Sequence, residues 1–282
     1  MKRVALVGLE SKELKDNVIV LMKELGDYYG FNCEHFFYSS KDFDLYDSLV
    51  KKGFSPDDFC AVVSIGGDGT FLYTSRVFAA TEVPVFGVNI SGKMGFNTGI
   101  EIVDLKAKFV DFIEGKCEFD HKRLLDVIIE GNTLQKFTVL NEGVISHTGI
   151  SRMINLKVDL EKHSLLNFMG DGLIVSSPTG STAYNLSAGG PILHPELEAF
   201  VICPICPHAF GIRPFIIPFG ESIYIKVEEA YTESQITLDG QKIVYLEPGQ
   251  RVIFRESQKK IKVVRGNKNF IEILKLKLGW VV

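Results

Sequence analysis

The chain has 282 residues, a formal net charge of −4 and a hydrophobic fraction of 46%, so its length suits one large domain or two of ordinary size. This composition is typical of a globular protein with an ample core. The mildly acidic balance of charge does not favour a nucleic-acid backbone or an anionic membrane as the main partner, although a local basic patch is compatible with it.

The N-terminal residues MKRVALVGLE combine two basic residues with a short apolar run. The run is too short for a secretory signal, acidic residues follow it, and no small-residue cleavage site appears, so we expect a buried strand there. No apolar stretch approaches the roughly 18 residues that a membrane span needs. We therefore expect a cytoplasmic protein that binds neither membrane nor nucleic acid.

Five cysteines are scattered along the chain, and this odd number does not predict a disulfide framework. Cys203 and Cys206 form a C-x-x-C motif. A zinc site would need a second pair of ligands, and no other CxxC or HxxxH motif supplies one. We expect free thiols, as in a reducing cytoplasm.

The first part of the chain alternates apolar runs with helical patterns. Strands are predicted at 4–7, 33–38, 61–65 and 85–90, and helices at 11–28, 45–50, 71–80 and 103–114. This βαβ rhythm predicts a parallel sheet covered by helices, with a ligand site beyond the carboxyl ends of the strands.

From about residue 117 onwards the pattern changes to short alternating strands, predicted at 124–129, 137–140, 154–160, 173–176, 223–227 and 235–238. Gly, Asp, Asn and Pro separate them at intervals typical of an antiparallel sheet. We therefore expect an α/β N-terminal domain (1–116), an all-β C-terminal domain (117–265) and a ligand cleft between them. The last segment, 266–282, is expected to pack back on the first domain.

A glycine-rich turn, Gly66-Gly67-Asp68-Gly69-Thr70, lies between the third strand and a helix. Its glycines allow a sharp turn, and N–H groups at a helix N-terminus can bind an anion. The turn has neither the lysine of a P-loop nor GxGxxG spacing. A carboxylate here would repel a bare anion, which favours Asp68 as the acceptor of a hydroxyl proton. The alternative is that Asp68 only caps the helix.

Three smaller motifs are ambiguous. Asn141 and Glu142 follow a strand and together can bind a ribose or an amide, although an isolated Asn-Glu is usually a turn. Asp239-Gly240-Gln241 stands between two strands and is most simply a hairpin turn. Arg152, just before the strand at 154–160, can contact a phosphate or face solvent.

The segment 170–191 is the richest in polar chemistry. It begins with a turn, passes through a buried strand and breaks at Pro178, before hydroxyl and small residues that predict a helix over 180–188. Ser181 or Thr182 would cap that helix and leave N–H groups for a phosphate or an adenine edge, while Tyr184 can stack or hydrogen-bond. So much loop and hydroxyl chemistry indicates function more than structure.

Together these motifs resemble the NAD kinase family over nearly the whole chain. The resemblance consists of GGDGT at 66–70, NE at 141–142, GDGLIVSSPTGSTAYNLSAGGPILHP at 170–195, PICPH at 204–208 and DGQ at 239–241. GGDGT alone is weak, because diacylglycerol kinases, sphingosine kinases and phosphofructokinases carry related turns. The long third motif is specific, and the order and spacing of all five argue against an accidental match.

The resemblance implies transfer of a phosphoryl group from ATP, or another phosphate donor, to the 2′-hydroxyl of the adenosine ribose of NAD. It implies that Asp68 accepts the hydroxyl proton, that Asn141 and Glu142 bind the adenosine part, and that Asp171 approaches the nicotinamide end. Further contact positions are Gly69, Arg152, Thr182, Ala183, Tyr184, Asn185, Leu186, Ser187, Cys206 (through its backbone) and Gln241. A divalent cation, usually Mg²⁺, and a homodimer or homotetramer are also implied, with no metal ligand assigned to the protein.

One departure from the family is Met169, where many members carry a basic residue, so a cation that would strengthen phosphate binding is absent. Two competing functions stay open. A lipid kinase of the diacylglycerol type needs an apolar acceptor groove, and the hydroxyl-rich residues 176–187 argue against one. A non-catalytic NAD(H)-binding sensor would form no NADP, and the intact Asp68 argues against it.

Overall fold

The computed structural model describes residues 2–10, 14–38, 44–90, 95–149, 153–228, 233–247 and 249–280. By its internal contacts the chain divides into two units, the first made of Met1–Lys122 with Lys260–Val282 and the second of Arg123–Lys259. Among the described residues, no helix is both long enough and apolar enough to cross a membrane.

The first unit contains a parallel sheet with helices. Its elements up to residue 113 are β1 (Lys2–Leu9), α1 (Leu14–Tyr29), β2 (Phe31–Tyr38), α2 (Leu45–Lys51), β3 (Ala61–Gly66), α3 (Asp68–Phe78), β4 (Val85–Asn89), β5 (Ile100–Glu101) and α4 (Ile102–Ile113). Strands β2, β1, β3 and β4 pair in that order, all in parallel, and β5 pairs with β4. The predicted βαβ arrangement is confirmed.

The core of the first unit explains why these segments form a parallel sheet. Leu6, Val63 and Val88, on three neighbouring strands, are buried and pack with Met22 of α1 and Phe109 of α4. Strands covered by helices read as nearly continuous apolar runs, and β3 is buried at all six of its residues. This burial fixes the carboxyl end of β3, where the glycine-rich turn begins.

The rest of the chain is mostly antiparallel. Its elements are β6 (Phe119–Glu130), β7 (Gln135–Val139), β8 (Glu142–His147), β9 (Ile154–Leu160), β10 (Ser164–Gly170), β11 (Gly172–Ser176), α5 (Tyr184–Ser187), β12 (Ala199–Ile205), β13 (Phe215–Pro218), β14 (Ile223–Val227), β15 (Ser234–Leu238), β16 (Lys242–Leu246), β17 (Arg251–Val264) and α6 (Phe270–Leu278). One sheet of the second unit has the order β13-β12-β11-β8-β15-β16. The predicted antiparallel β domain is confirmed.

Strand register in this six-stranded sheet places the polar motifs next to each other. Strand β8 lies between β11 and β15, with Glu142 opposite Ser176 and Gly143 opposite Leu238. The β15–β16 pair is the hairpin predicted at Asp239-Gly240-Gln241. The motifs NE, SSPTG and DGQ therefore meet at one end of the sheet.

The single helix predicted over 180–188 is wrong. The segment forms a 3₁₀ turn over Thr179–Thr182 and then the four-residue α5, separated by Ala183 at φ −96° and ψ −130°. Short hydroxyl side chains offer the backbone local hydrogen bonds that compete with a continuous helix, which explains the break.

Candidate active site

Asp68 is the first residue of α3, directly beyond the carboxyl end of β3. The preceding turn is tight: a Cβ on Gly66 would lie 2.3 Å from the hydroxyl oxygen of Thr70, so only glycine fits there. The N-cap of α3 is Gly67, which has no side chain to occupy the helix N-terminus. The sequence thus places a half-buried carboxylate at the mouth of a parallel sheet.

Three donors from residues 96–98 hold the carboxylate of Asp68. The N–H of Phe96 donates to Oδ2 at 2.9 Å, while Oδ1 accepts from the N–H of Asn97 at 3.0 Å and from the hydroxyl of Thr98 at 3.2 Å. The capping alternative is therefore wrong, because the carboxylate bonds to another segment and not to its own helix. An ionised carboxylate has about four lone-pair positions, so these contacts leave about one for a further donor such as a substrate hydroxyl.

Gly95 allows this arrangement. A Cβ at this position would lie 2.1 Å from Asp68 Oδ1 and 2.1 Å from the Thr98 hydroxyl oxygen, well inside van der Waals contact. Neither residues 96–98 nor Gly95 was predicted as part of the site, since the turn that holds Asp68 is distant from it in sequence. The sequence signal that could have pointed to them is the GFNT segment at 95–98, which follows the buried strand β4 and contains a glycine and two polar residues.

Lys122 on β6 is a second group that the motifs did not predict. It is half-buried, and this burial lowers the pKa of its ammonium group, while the carboxylates of Asp120 and Asp68 act to raise it. The first unit therefore places the amino group of Lys122 in electrostatic interaction with Asp68. A basic residue at the start of a long strand is too common a pattern to identify such a group from sequence.

Asp239 in the second unit does more than form a hairpin turn. Its buried carboxylate accepts from the N–H groups of Leu140 at 3.1 Å, Asn141 at 2.7 Å and Glu142 at 3.3 Å, and its own N–H donates to the Glu142 carbonyl at 2.9 Å. Its φ of +49° is in the left-handed region, which Asp tolerates better than most residues. Asp239 thus fixes the backbone of the NE motif.

Glu142 lies beside Asp239, but its own side chain is almost completely shielded from solvent. It is only 4% exposed, and its Oε2 is buried with no hydrogen-bond partner among the described residues. Burial, and then the charge of Asp239, raises the pKa of Glu142 from 4.5 to about 8. The two carboxyl groups therefore divide their roles: Asp239 is satisfied by backbone donors, and Glu142 is a neutral acid at pH 7 that can donate as well as accept.

A cavity of about 420 Å³ in the second unit brings three of the predicted site residues together. Its lining consists of Glu142, Val144, Ser146, His147, Asp171, Tyr184, Ile205, Thr237 and Gly240. Two aliphatic side chains, Val144 and Ile205, stand among polar ones, and such a mixture suits the ring and hydroxyls of a nucleoside. The side chain of Tyr184 is 46% exposed and is free to stack on such a ring.

The other predicted residues of this segment surround Tyr184 in different ways. The expected N-cap is wrong, since α5 begins after Ala183, the Ser181 hydroxyl donates to Pro178 O at 2.7 Å, and the Thr182 hydroxyl donates to Thr179 O at 3.2 Å. Asn185 is fully buried, and its amide nitrogen donates to Ser181 O and Pro191 O, each at 3.0 Å. Leu186 is half-buried and Ser187 is exposed.

Of the remaining predicted positions, Asp171, Cys206 and Gln241 lie at exposed bends or turns, and Gly69 is an exposed residue of α3. Asp171 is exposed and its N–H donates to Ile205 O at 3.0 Å, which places it beside the exposed Cys206, whose φ is +44°. Gly69 and Gln241 are also exposed. Arg152 lies outside the described residues.

Two further sequence expectations concern cysteines and Met169. Cys203 is buried within β12 whereas Cys206 is exposed beyond its end, and both are free thiols. Met169 is 39% exposed, and its carbonyl accepts from the N–H of His208 at 2.8 Å. Within the described part of the chain, no three His, Cys, Asp or Glu side chains lie close enough together to hold a metal ion.

Known proteins resemble this chain over most of its length. Residues 29–117 match the ATP-NAD kinase N-terminal domain and residues 140–266 match the ATP-NAD kinase C-terminal domain. An NAD kinase of Treponema denticola is 36% identical over 239 residues, which span 83% of this chain and 84% of that protein. An NAD kinase of Aquifex aeolicus is 38% identical over 232 residues, which span 81% and 84%.

Two solved structures share the fold. A yeast NADH kinase complexed with NADH has a TM-score of 0.85 at 20% identity, covering 99% of this chain and 88% of that one. An NAD kinase from Archaeoglobus fulgidus in complex with ATP has a TM-score of 0.78 at 23% identity, covering 99% and 100%. The two matching domains and the relatives above 30% identity confirm the resemblance seen in the motifs: the chain belongs to the NAD kinase family.

Proposed function

We propose that this chain phosphorylates NAD, transferring the terminal phosphoryl group of ATP to the 2′-hydroxyl of the adenosine ribose to give NADP. Family membership supports this activity. So do the relatives, which are NAD kinases, and the structural neighbours, an NADH kinase complexed with NADH and an NAD kinase in complex with ATP. The observation that carries the proposal is the Asp68 carboxylate, held by three donors with about one lone-pair position left.

Asp68 takes the role of proton acceptor. Its remaining lone pair accepts the hydrogen bond of the 2′-hydroxyl and orients that oxygen towards the terminal phosphorus of ATP. As the new O–P bond forms and the bond to the ADP oxygen breaks, the hydroxyl proton passes to Asp68. Phosphoryl transfer asks little covalent work of a protein, so positioning and charge neutralisation account for most of the rate.

Most of the proposed dinucleotide contacts belong to the second unit. We assign the adenosine part to Asn141 and Glu142, with the neutral Glu142 donating its acid hydrogen to a ligand acceptor. Tyr184 contributes a ring face, and Asp171 approaches the nicotinamide end. Gly69, Arg152, Thr182, Ala183, Asn185, Leu186, Ser187, Cys206 and Gln241 complete the proposed contact set.

The divalent cation is proposed to be Mg²⁺ that arrives on the phosphates of ATP. Phosphate oxygens are the hard ligands that Mg²⁺ prefers, and many such sites take only one or two carboxylates from the protein. When bound, the cation neutralises charge on the donor phosphates. The resemblance also leads us to propose a homodimer or homotetramer, which size-exclusion chromatography with light scattering tests directly. The free thiols lead us to propose a cytoplasmic location.

The decisive experiment compares the wild-type chain with Asp68→Asn. Purified protein is incubated with NAD, ATP and Mg²⁺, and NADP is measured with an NADP-specific dehydrogenase. The variant should lose at least ~10²-fold in kcat, the scale for loss of a general base, with a small change in the KM for NAD. Asp57→Asn, an exposed Asp in the same unit, is the matched control and should match wild type.

Three results would contradict the proposal. Near-normal kcat in Asp68→Asn would remove the assigned proton acceptor. Phosphorylation of diacylglycerol in place of NAD would favour a lipid kinase. Dinucleotide binding with no NADP formed by the wild-type protein would favour a sensor.

A further inference from the structure

The C-terminal segment of the first unit runs along the residues that hold Asp68. A Cβ on Gly266 would lie 2.4 Å from the carbonyl oxygen of Gly99, so the two backbones are in close contact. Beyond this point, Lys268 Nζ lies 3.7 Å from Glu101 Oε1. The ring of Phe270, the first residue of α6, lies 6.2 Å from the ring of Phe96, centroid to centroid, at an angle of 44°.

A second side chain of α6 contacts the same ring. Lys277 Nζ lies 5.0 Å from the centroid of Phe96, within the range of a cation–π interaction. Phe270 and Lys277 are seven residues apart, or about two helical turns, so they share one face of α6. The ring of Phe96 is therefore contacted by one residue near each end of α6.

Helix α6 is itself well anchored. At its N-terminus, Asn269 and Glu272 form a capping box, with the Asn269 side chain accepting from the Glu272 N–H at 3.0 Å and Glu272 accepting from the Asn269 N–H at 2.8 Å. Ile273 and Leu274 are buried, and the helix ends at Gly279 with φ +67°. The contacts on Phe96 thus come from a rigid element.

Phe96 links the helix to the carboxylate. Its ring meets α6, while its own N–H donates to Asp68 Oδ2 at 2.9 Å and the next two residues supply the donors to Oδ1. A shift of the Phe96 ring therefore displaces the donors that aim Asp68. A misplacement of about 1 Å at a reacting group can cost on the order of 10²-fold in rate.

We propose that α6 positions the catalytic carboxylate, with Phe270 and Lys277 acting as positioning residues through Phe96. This inference rests on the proposed function, in which Asp68 accepts the proton. Neither Phe270 nor Lys277 needs to touch a substrate for the effect. Their loss should lower kcat while the KM for NAD and for ATP stays within about twofold of wild type.

The first test is Phe270→Ala, with Ile271→Ala as the matched control because Ile271 is the next residue of α6 and is 51% exposed. We expect kcat to fall by about tenfold in Phe270→Ala and to stay at the wild-type value in the control. Phe270→Leu, which keeps an apolar contact, should recover part of the loss. Unchanged kcat in Phe270→Ala, whatever its melting temperature, would overturn the proposal.

The second test avoids any change to the core. Lys277→Met should lower kcat about two- to fivefold, the scale of an exposed cation–π contact, and Lys277→Arg should restore it. Lys275→Met, on the same helix and also exposed, should have no effect. Equal effects of the two methionine substitutions would contradict a role for the Phe96 contact.

A double-mutant cycle separates this inference from the proposed function. Since both residues act through the aim of Asp68, Thr98→Val combined with Phe270→Ala should lose less than the product of the two single effects. Strictly multiplicative losses would overturn the coupling. An active Asp68→Asn would instead refute the proposed function, whereas an inactive Asp68→Asn with a fully active Phe270→Ala would refute only the role of α6.

Discussion

Replacing Glu142 by Gln should stabilise the protein, and the gain should depend on pH. Glu142 is 4% exposed, and its burial beside Asp239 raises its pKa from 4.5 to about 8. Between pH 4.5 and about pH 8, Glu142 of the folded chain retains a proton that the unfolded chain has released. Stability of the wild type therefore falls as pH rises through this window, by about 1.4 kcal/mol per pH unit.

The size of the gain follows from that slope. Below about pH 4.5 the carboxyl is protonated in both the folded and the unfolded state, so its ionisation does not reduce the free energy of unfolding. At pH 7 the cost is about 3 kcal/mol, and above pH 8 it levels off at about 5 kcal/mol because Glu142 is then ionised in both states. Glutamine has nearly the same shape and stays neutral, so Glu142→Gln avoids this cost at every pH.

The assay is urea unfolding of both proteins, followed by circular dichroism at pH 5, 6, 7 and 8. The difference in unfolding free energy should grow steadily across the series. Glu247→Gln, an exposed Glu in the same unit, controls for the loss of one negative charge and should give a small, flat difference. A constant difference between wild type and Glu142→Gln would refute the assignment of a neutral Glu142.

Two further substitutions test the supports of the site. Asp239→Asn leaves one side-chain oxygen to accept from three backbone N–H groups. It should therefore cost about 1–3 kcal/mol of stability, measured by urea unfolding, and raise the KM for NAD, measured by steady-state kinetics. Unchanged stability would contradict the role of Asp239 in fixing the backbone of the NE motif. Gly95→Ala places a methyl group 2.1 Å from Asp68 Oδ1, so it should reduce kcat by at least ~10²-fold, whereas Gly211→Ala, whose Cβ meets nothing within 4 Å, should leave kcat unchanged. Normal turnover in Gly95→Ala would show that residues 95–98 do not set the position of Asp68.

The helix expected at 180–188 shows how local side-chain chemistry overrides a favourable pattern. Small and hydroxyl residues ending in Gly189-Gly190 fit a capped helix, but the hydroxyls of Ser181 and Thr182 bond to carbonyls three residues back. The hydrogen-bond choice of a hydroxyl depends on where the neighbouring chain lies, and Leu193 N, which donates to Ser181 Oγ at 2.9 Å, is such a neighbour. The periodicity of the sequence does not predict this hydrogen bond between Leu193 and Ser181.

The sequence by itself determined the classes of structure and the family. Apolar runs separated by helical patterns specify the parallel sheet, alternating runs specify the antiparallel one, and five ordered motifs identify an NAD kinase, because these features depend only on residues that are close along the chain. Tertiary structure decided which groups act on each key carboxyl. Asp68 is 28 to 30 residues from its three donors, and Glu142 is 97 residues from Asp239. Hydrogen bonds and burial between residues so far apart in sequence arise only when the chain has folded. They set the orientation of the Asp68 carboxylate and the protonation state of Glu142.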